Sequence, residues 1–448
     1  MRCKSSYLFL QLLALMFFST GTLMASDEKP DAPEKVSIGG YGFWQFGQIV
    51  QGWDRNAGKE ISHYWTNNVL VGLDIKAQPS EHLQLVLSPE FYLNYSYPQQ
   101  QNTPNSVRPF GFAYINEADG IFSFGDVEKP FLQASLGMFT FKYNPDGRNF
   151  GDYIFRTGSY PTYIITNFDF PAARLLGLHL SSDPIANLHA DLLLTSEAFI
   201  YPLFDFSLTG IASYKLFNAI EIGAGIDFAR LLPVDNVKTT PQINYNQSQT
   251  FFNSYIDQNG DTGYYSFKAT KVMARASIDP KPLFGSPKLF GPEDLKLYGE
   301  ICWVGVGGYN AKDLPDSGNR AWYNDLNQRT PRMFGFNVPT FRLFDVLSGE
   351  MEYFPSVIPN DYANVDRGLV PMPYLNDGLN SYNINDWNQG AWRWSIYAKK
   401  TFVKGFSVTG QAAFDHLRMT FWDGTTNEYE SLTKKGHWHW DLKFGYAF

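Results

Sequence analysis

The stretch His437-Trp438-His439-Trp440-Asp441-Leu442-Lys443-Phe444-Gly445-Tyr446-Ala447-Phe448 ends the chain. Its even positions are all aromatic or aliphatic, and its odd positions are polar, charged or small. Alternation with a period of two is the signature of a strand with one apolar and one polar face. A tilted strand crosses a bilayer in about 9–11 residues, so this one is long enough to do so.

The same parity recurs upstream. Val69, Val71, Leu73, Ile75 and Ala77 keep their register through the turn 78–82 into Leu83, Leu85, Leu87, Phe91, Leu93 and Tyr95. Leu176, Leu178 and Leu180 pass through 183–187 to Leu188, Ala190, Leu192 and Leu194. Ile220, Ile222, Ala224, Ile226 and Phe228 follow Phe206, Leu208, Gly210, Ala212 and Tyr214 across a short turn. Trp392, Trp394, Ile396 and Ala398 lead to Phe406, Val408, Gly410, Ala412 and Phe414. The parity also assigns Phe110, Phe112 and Tyr114 to the apolar face. Seven tryptophans fall on it: Trp44, Trp65, Trp303, Trp392, Trp394, Trp438 and Trp440. Most lie toward the long-loop ends of their strands, as an interfacial girdle would.

The terminal Phe448, with Tyr446 third from the end, resembles the C-terminal strand of bacterial outer-membrane β-barrels. That resemblance implies that these two residues are read by the barrel-assembly machinery. The expected fold is all-β, a transmembrane antiparallel up-and-down barrel of about 16 strands, within a range of about 14–18. Short turns alternate with long loops when counted back from the C-terminus, and an even count puts both termini in the periplasm.

Residues 1–25 read as a cleaved signal peptide: Arg2 and Lys4 precede an apolar run, and Leu23-Met24-Ala25 supplies small residues at the cleavage site. Residues 26–35 are then a short periplasmic lead and 36–448 a single barrel. No second composition breaks that span, and nothing beyond the signal approaches 18 consecutive apolar residues, which excludes a helical membrane protein. Aromatics are 17% and charged residues only 18% of the chain, an unusual balance for a soluble domain. Cys302 is alone once Cys3 leaves with the signal, so there is no disulfide framework. The formal charge of −8 argues against a nucleic-acid partner and slightly favours cations. The seven histidines are scattered, no serine stands in a nucleophile motif and no phosphate loop is present, so no enzyme is expected.

The third long loop, 142–172, carries Asp146, Arg148, Asp152 and Arg156 with aromatics between them. Its position and length resemble the loop that folds into the lumen of 16-stranded porins, which implies a pore constriction at these four charges. The polar register of the strands forms the expected lumen wall. It carries Glu90, Glu300, Glu350, Glu352 and Asp415 with Lys271, Arg275 and Arg393, and further charges that leave acids in slight excess. The expectation is an outer-membrane channel for passive diffusion of small hydrophilic solutes with weak cation preference. Its partners would be outer-membrane lipid, lipopolysaccharide and the assembly machinery, and the porin resemblance implies a homotrimer.

Two alternatives stay open. Tyr143, Phe150, Tyr153, Phe155, Tyr160 and Tyr163 are suited to stacking on sugar rings in a substrate-specific channel. The long loops near 230–264 and 355–389 suit a structural or adhesive barrel. No cofactor is expected, apart from a candidate structural calcium at Asp257, Asn259 and Asp261, a stretch that lacks the spacing and distal Glu of an EF-hand. His437 and His439 share a face and read as rim histidines without metal, and Cys302 reads as an inward-facing filler.

Overall fold

The computed structural model describes residues 35–54, 59–94, 110–156, 172–198, 203–234, 254–256, 262–264, 268–285, 288–306, 326–353, 392–403, 405–422 and 426–448. Sixteen of its strands close into one ring. The first nine are β1 (Lys35–Asp54), β2 (Lys59–Ser80), β3 (Leu83–Asn94), β4 (Phe110–Gly125), β5 (Pro130–Phe141), β6 (Ala173–Ile185), β7 (Leu188–Ser196), β8 (Phe206–Leu216) and β9 (Ile220–Leu232). A small hairpin, β10 (Ser254–Ile256) with β11 (Thr262–Tyr264), stands apart from the ring. The ring resumes with β12 (Ala269–Ile278), β13 (Leu297–Val304), β14 (Arg332–Asn337), β15 (Val346–Tyr353), β16 (Trp392–Val403) and β17 (Phe406–Phe414). A second hairpin, β18 (Arg418–Trp422) with β19 (Thr426–Glu430), precedes the closing strand β20 (Trp438–Ala447).

Every barrel strand pairs antiparallel with its neighbour in chain order, and β20 closes on β1. The architecture is therefore an up-and-down barrel of 16 strands. Links at 81–82, 126–129, 186–187, 217–219 and 404–405 are short, and those at 279–296 and 338–345 are longer. All of these lie at the end of the barrel where β1 begins and β20 ends. Most connections at the other end are far longer, as at 95–109, 142–172, 233–268, 305–331 and 354–391.

Alternation decides which side chains face out. Val71, Leu85, Phe91, Leu192, Ile222, Phe334, Met351 and Ile396 all remain exposed on the outer surface. At the closure, Trp44 and Phe46 of β1 lie against Trp440 and Phe444 of β20, with ring centroids 5.8–6.1 Å apart. Trp65 of β2 joins them, 5.9 Å from Trp440. Aromatic pairs at such separations add attraction beyond their buried area. They stitch the seam where the first and last strands meet. The backbone completes it: Phe448 donates to the Gly40 carbonyl at 2.8 Å, and Gly40 donates to the Phe448 carbonyl at 3.1 Å.

Two parity assignments are corrected. Tyr114 faces inward, paired in register with Glu90, because β4 carries a bulge: Ser88 pairs with Glu117, but Pro89 with Ile115. The unpaired Asn116 shifts the register, so Ile115 is the outward residue above the bulge while Ala118 and Phe122 keep the even register below it. Phe414 ends its strand buried with Ile49, Ile61 and Leu432 in a small apolar cluster, not on the outer face.

The main core sits inside the ring. Phe139, Leu175, Leu193, Ile211, Met273, Cys302 and Met333 point inward from β5–β8 and β12–β14. They surround Tyr143, Phe150, Tyr153, Ile154 and Phe155 of the third loop. One side of the barrel interior is thus filled by apolar packing, where parity alone predicted a uniformly polar lumen.

Candidate functional site

Residues 142–156 leave the ring between β5 and β6 and make their polar contacts on β12, β13, β15 and the end of β17, across the ring. Local chemistry prepares the path. Asn144-Pro145-Asp146-Gly147 is a turn in which Gly147 donates to Asn144 Oδ1 at 3.3 Å. Gly151 has φ 91°, and a Cβ there would lie 2.7 Å from Asn144 Nδ2, so this position requires glycine. Asp152 follows in the left-handed region and accepts from the backbone N–H of Tyr143 (3.1 Å) and Asn144 (2.9 Å), with Lys142 Nζ at 2.6 Å. The loop is thereby folded on itself before it meets the wall.

Two wall carboxylates hold it. Glu350 of β15 accepts three successive backbone N–H groups, from Arg148 at 2.6 Å, Asn149 at 2.8 Å and Phe150 at 2.9 Å. Successive N–H groups converging on one anion form a nest. Glu300 of β13 accepts from the N–H of Asp152 and Tyr153, both at 2.9 Å, from Tyr143 Oη at 2.6 Å and from Asn144 Nδ2 at 2.7 Å. Bonds to an ionised acceptor are shorter and stronger than neutral ones. Glu352 accepts from Tyr153 Oη at 2.7 Å and stands 2.5 Å from His416 Nε2, while Asn149 Nδ2 donates to Asp415 at 2.7 Å. From β12, Lys271 Nζ donates to the Ile154 carbonyl at 2.7 Å. The loop and its partners on the wall lie 117 to 266 positions apart in sequence.

The Glu350 end is braced by a tyrosine. Tyr298 of β13 lies over Gly335 of β14, where an added Cβ would be 2.2 Å from the Tyr298 ring. Its hydroxyl donates to Glu350 on the next strand at 2.8 Å. The same device recurs on the opposite wall: Tyr41 of β1 lies over Gly72 of β2, and its hydroxyl donates to Glu90 of β3.

The four charges expected at a constriction divide as follows. Asp146 pairs with Lys296 at 3.2 Å, and Arg148 with Glu293 at 2.6 Å. Glu293 and Lys296 themselves pair at 3.0 Å, so the four form an alternating chain. Asp152 lies inside the loop's own turn. The side chain of Arg156 lies outside the described residues. The eight expected wall residues all face inward and are buried, and five of them, Lys271, Glu300, Glu350, Glu352 and Asp415, bond the third loop. Arg275 pairs with Glu221 at 2.5 Å, Lys271 lies 3.7 Å from Asp227, and Arg393 donates to the Asp415 and Leu432 carbonyls. Tyr298, Asn144, Asn149 and Glu293 belong to this assembly and were not singled out from sequence. Cys302 is inward and buried. Tyr446 and Phe448 are exposed on the outer face at the closure, their rings 6.1 Å apart. Asp257, Asn259 and Asp261 lie outside the described residues, as does the signal segment.

At the far rim, His439 sits between Asp441 (3.0 Å) and Asp415 (3.6 Å). His437, just before β20, accepts the N–H of Thr433 and of Lys434 on Nδ1, at 3.1 and 3.2 Å, so its proton lies on Nε2, facing Glu60 at 3.0 Å. Burial pushes its pKa below the usual histidine value. Glu60 opposes that shift, and Lys434 and Arg393 add to it. Because the folded value is depressed, stability from this contact is complete above the unfolded pKa of about 6.5 and is lost as pH falls below it. The expected result is that the protection of the Thr433 and Lys434 amides, relative to the intrinsic exchange rate at each pH, falls as pH is lowered from about 7 to 5, and that this fall is absent in His437→Phe. Protection factors at those amides that stay constant over this range in the wild type would disprove the assignment.

No family model matches the chain, and neither does any curated protein. Among solved structures, it is similar to a mutant of the Rh. blastica porin, with 8% identity over 92% of this chain and 100% of that one, at a TM-score of 0.43. It is also similar to Salmonella typhi OmpF in a complex with daunomycin, with 11% identity over 93% of this chain and 98% of that one, at a TM-score of 0.45.

Proposed function

We propose that this barrel is an outer-membrane channel through which small hydrophilic solutes diffuse passively, with weak preference for cations. The observation that carries the reading is the third loop. A 15-residue segment, 142–156, crosses the interior of a closed ring and is bound there by buried carboxylates, which narrows the bore. Closure satisfies the strand backbones in lipid, and the exposed apolar band is the face that lipid would cover. On this reading residues 1–25 direct export, Tyr446 and Phe448 serve assembly, and transport rather than catalysis is the activity.

The cation preference rests on the inward charges left after pairing. Asp74, Glu90, Glu117 and Asp119 of β2–β4 stand on the side of the barrel away from the loop's anchors, against Lys76, Arg174 and Lys443 as the nearby bases, which leaves a small acidic excess. Under a salt gradient, the refolded barrel in a planar bilayer should give a small reversal potential of the sign for cations. Asp74→Asn with Glu117→Gln should move it toward zero. Anion selectivity in the wild type would overturn the preference, and absence of any conductance would overturn the channel.

A further inference from the structure

The filling of the interior is one-sided, and this determines where a solute can touch the wall. Inward side chains of β12–β15, among them Met273, Tyr298, Glu300, Met333 and Glu350, are buried against the third loop. Those at the same depth on β1–β4 stay half-buried: Tyr41, Phe43, Gln45, Asn68, Tyr92 and Tyr114. Strand register arranges these in rows. Tyr41, Gly72, Glu90 and Tyr114 are consecutive partners across four strands. One step toward the long-loop end, Phe43, Leu70 and Tyr92 are partners across three, and beyond them Gln45 pairs with Asn68.

The result is a strip of aromatic rings with a carboxylate below it and amides above. Glu90 is held between Tyr41 and Tyr114, and Asp74 accepts from Ser88 at 2.7 Å. Lys443 Nζ lies over the Phe43 ring, 4.3 Å from its centroid, and the Arg174 guanidinium of β6 over the Tyr114 ring at 4.5 Å, so each of these rings carries a cation on one face and leaves the other for a solute. Asn68 Oδ1 is buried and has no hydrogen-bond partner among the described residues. A buried amide oxygen ordinarily has a partner, and its lack of one marks a place where a donor from a solute fits. A charged solute would be served by charges alone. Rings flanked by amides and carboxylates match a molecule with apolar C–H faces and a rim of hydroxyls.

We propose that the β1–β4 face of the lumen carries a binding subsite for a neutral sugar ring, with Phe43 and Tyr92 as the stacking surface and Gln45 and Asn68, one row above, as hydroxyl partners. This rests on the channel reading above and adds a solute class to it. The test uses the full mature chain refolded in detergent, with maltose as probe and the open-chain polyol sorbitol as comparison. Maltose should reduce single-channel current saturably and sorbitol should not. Phe43→Ala with Tyr92→Ala should raise the half-blocking maltose concentration about tenfold, which corresponds to ~1.4 kcal/mol. Asn68→Leu, nearly isosteric and leaving the rings in place, should weaken block in the same direction. Ile222→Ala, on the outer face of β9, should leave it unchanged. Calorimetric titration of the same barrel with maltose reads the subsite without needing a pore. A silent bilayer with retained maltose binding overturns the channel and supports the subsite. Conductance without maltose block or heat, or block equal in wild type and double variant, overturns the subsite and leaves the channel standing.

Discussion

Replacing Glu300 with alanine is expected to release the third loop from the far wall and to raise single-channel conductance. Glu300 accepts four donors, from Tyr143, Asn144, Asp152 and Tyr153, all of them buried. Removing the acceptor leaves these donors unsatisfied in a site closed to water. Breaking a buried charged contact in this way typically costs about 3–5 kcal/mol. The ring itself is held by strand pairing and does not depend on this residue, so the cost falls on the docked loop. Glu300→Gln should be intermediate, because an amide keeps one acceptor oxygen but turns an NH2 toward donors. Conductance and its noise, measured on barrels that retain heat-modifiable mobility, check the prediction. An alanine variant with unchanged current would show that the loop is held elsewhere.

The second large effect is expected at Gly47, on the seam. It is paired in register with Asp441 of β20, and a Cβ there would lie 2.1 Å from Asp441 Oδ1 and 2.2 Å from the Trp440 carbonyl oxygen. The second of these is backbone and cannot rotate away. Gly47→Val should therefore hold β1 and β20 apart, with the loss of a compact, heat-modifiable band after refolding. Overpacking of this kind typically costs about 1–3 kcal/mol even where neighbours can shift. Gly210 is the matched control: nothing lies within 4 Å of a Cβ built there, so Gly210→Val should fold normally. Equal folding yields for the two variants would remove the seam argument.

Legibility from sequence followed the range of the forces involved. The closing strand, read as alternating over 437–448, is β20 with Trp438, Trp440, Leu442 and Phe444 outward, because parity is a local property of extended backbone. β4 was misread because one extra residue, Asn116, shifts parity without leaving a compositional mark. Inward charges such as Glu300 and Glu350 were found by the same parity, but not their partners, since nothing local ties Asn149 to a glutamate 201 positions away. The apolar filling did leave a signal. Leu192-Leu193-Leu194 and Leu175-Leu176 are unbroken apolar runs where alternation demands a polar residue, which is what a strand covered on both faces requires.

The crossing loop also has a mechanical consequence. A ring of strands resists stretching along its hydrogen bonds, yet bends easily into an ellipse, and a bilayer squeezes it from the side. Residues 142–156 are continuous with β5 through the chain and are fastened to β13 and β15 across the ring by contacts of 2.6–2.9 Å. They act as a spoke in tension and compression between two arcs of the wall. Flattening along that diameter would have to crush a packed apolar core, and flattening across it would have to pull carboxylates off buried N–H groups. A spoke so placed resists ovalisation at that depth, and leaves the arc that carries β1–β4 without such a brace.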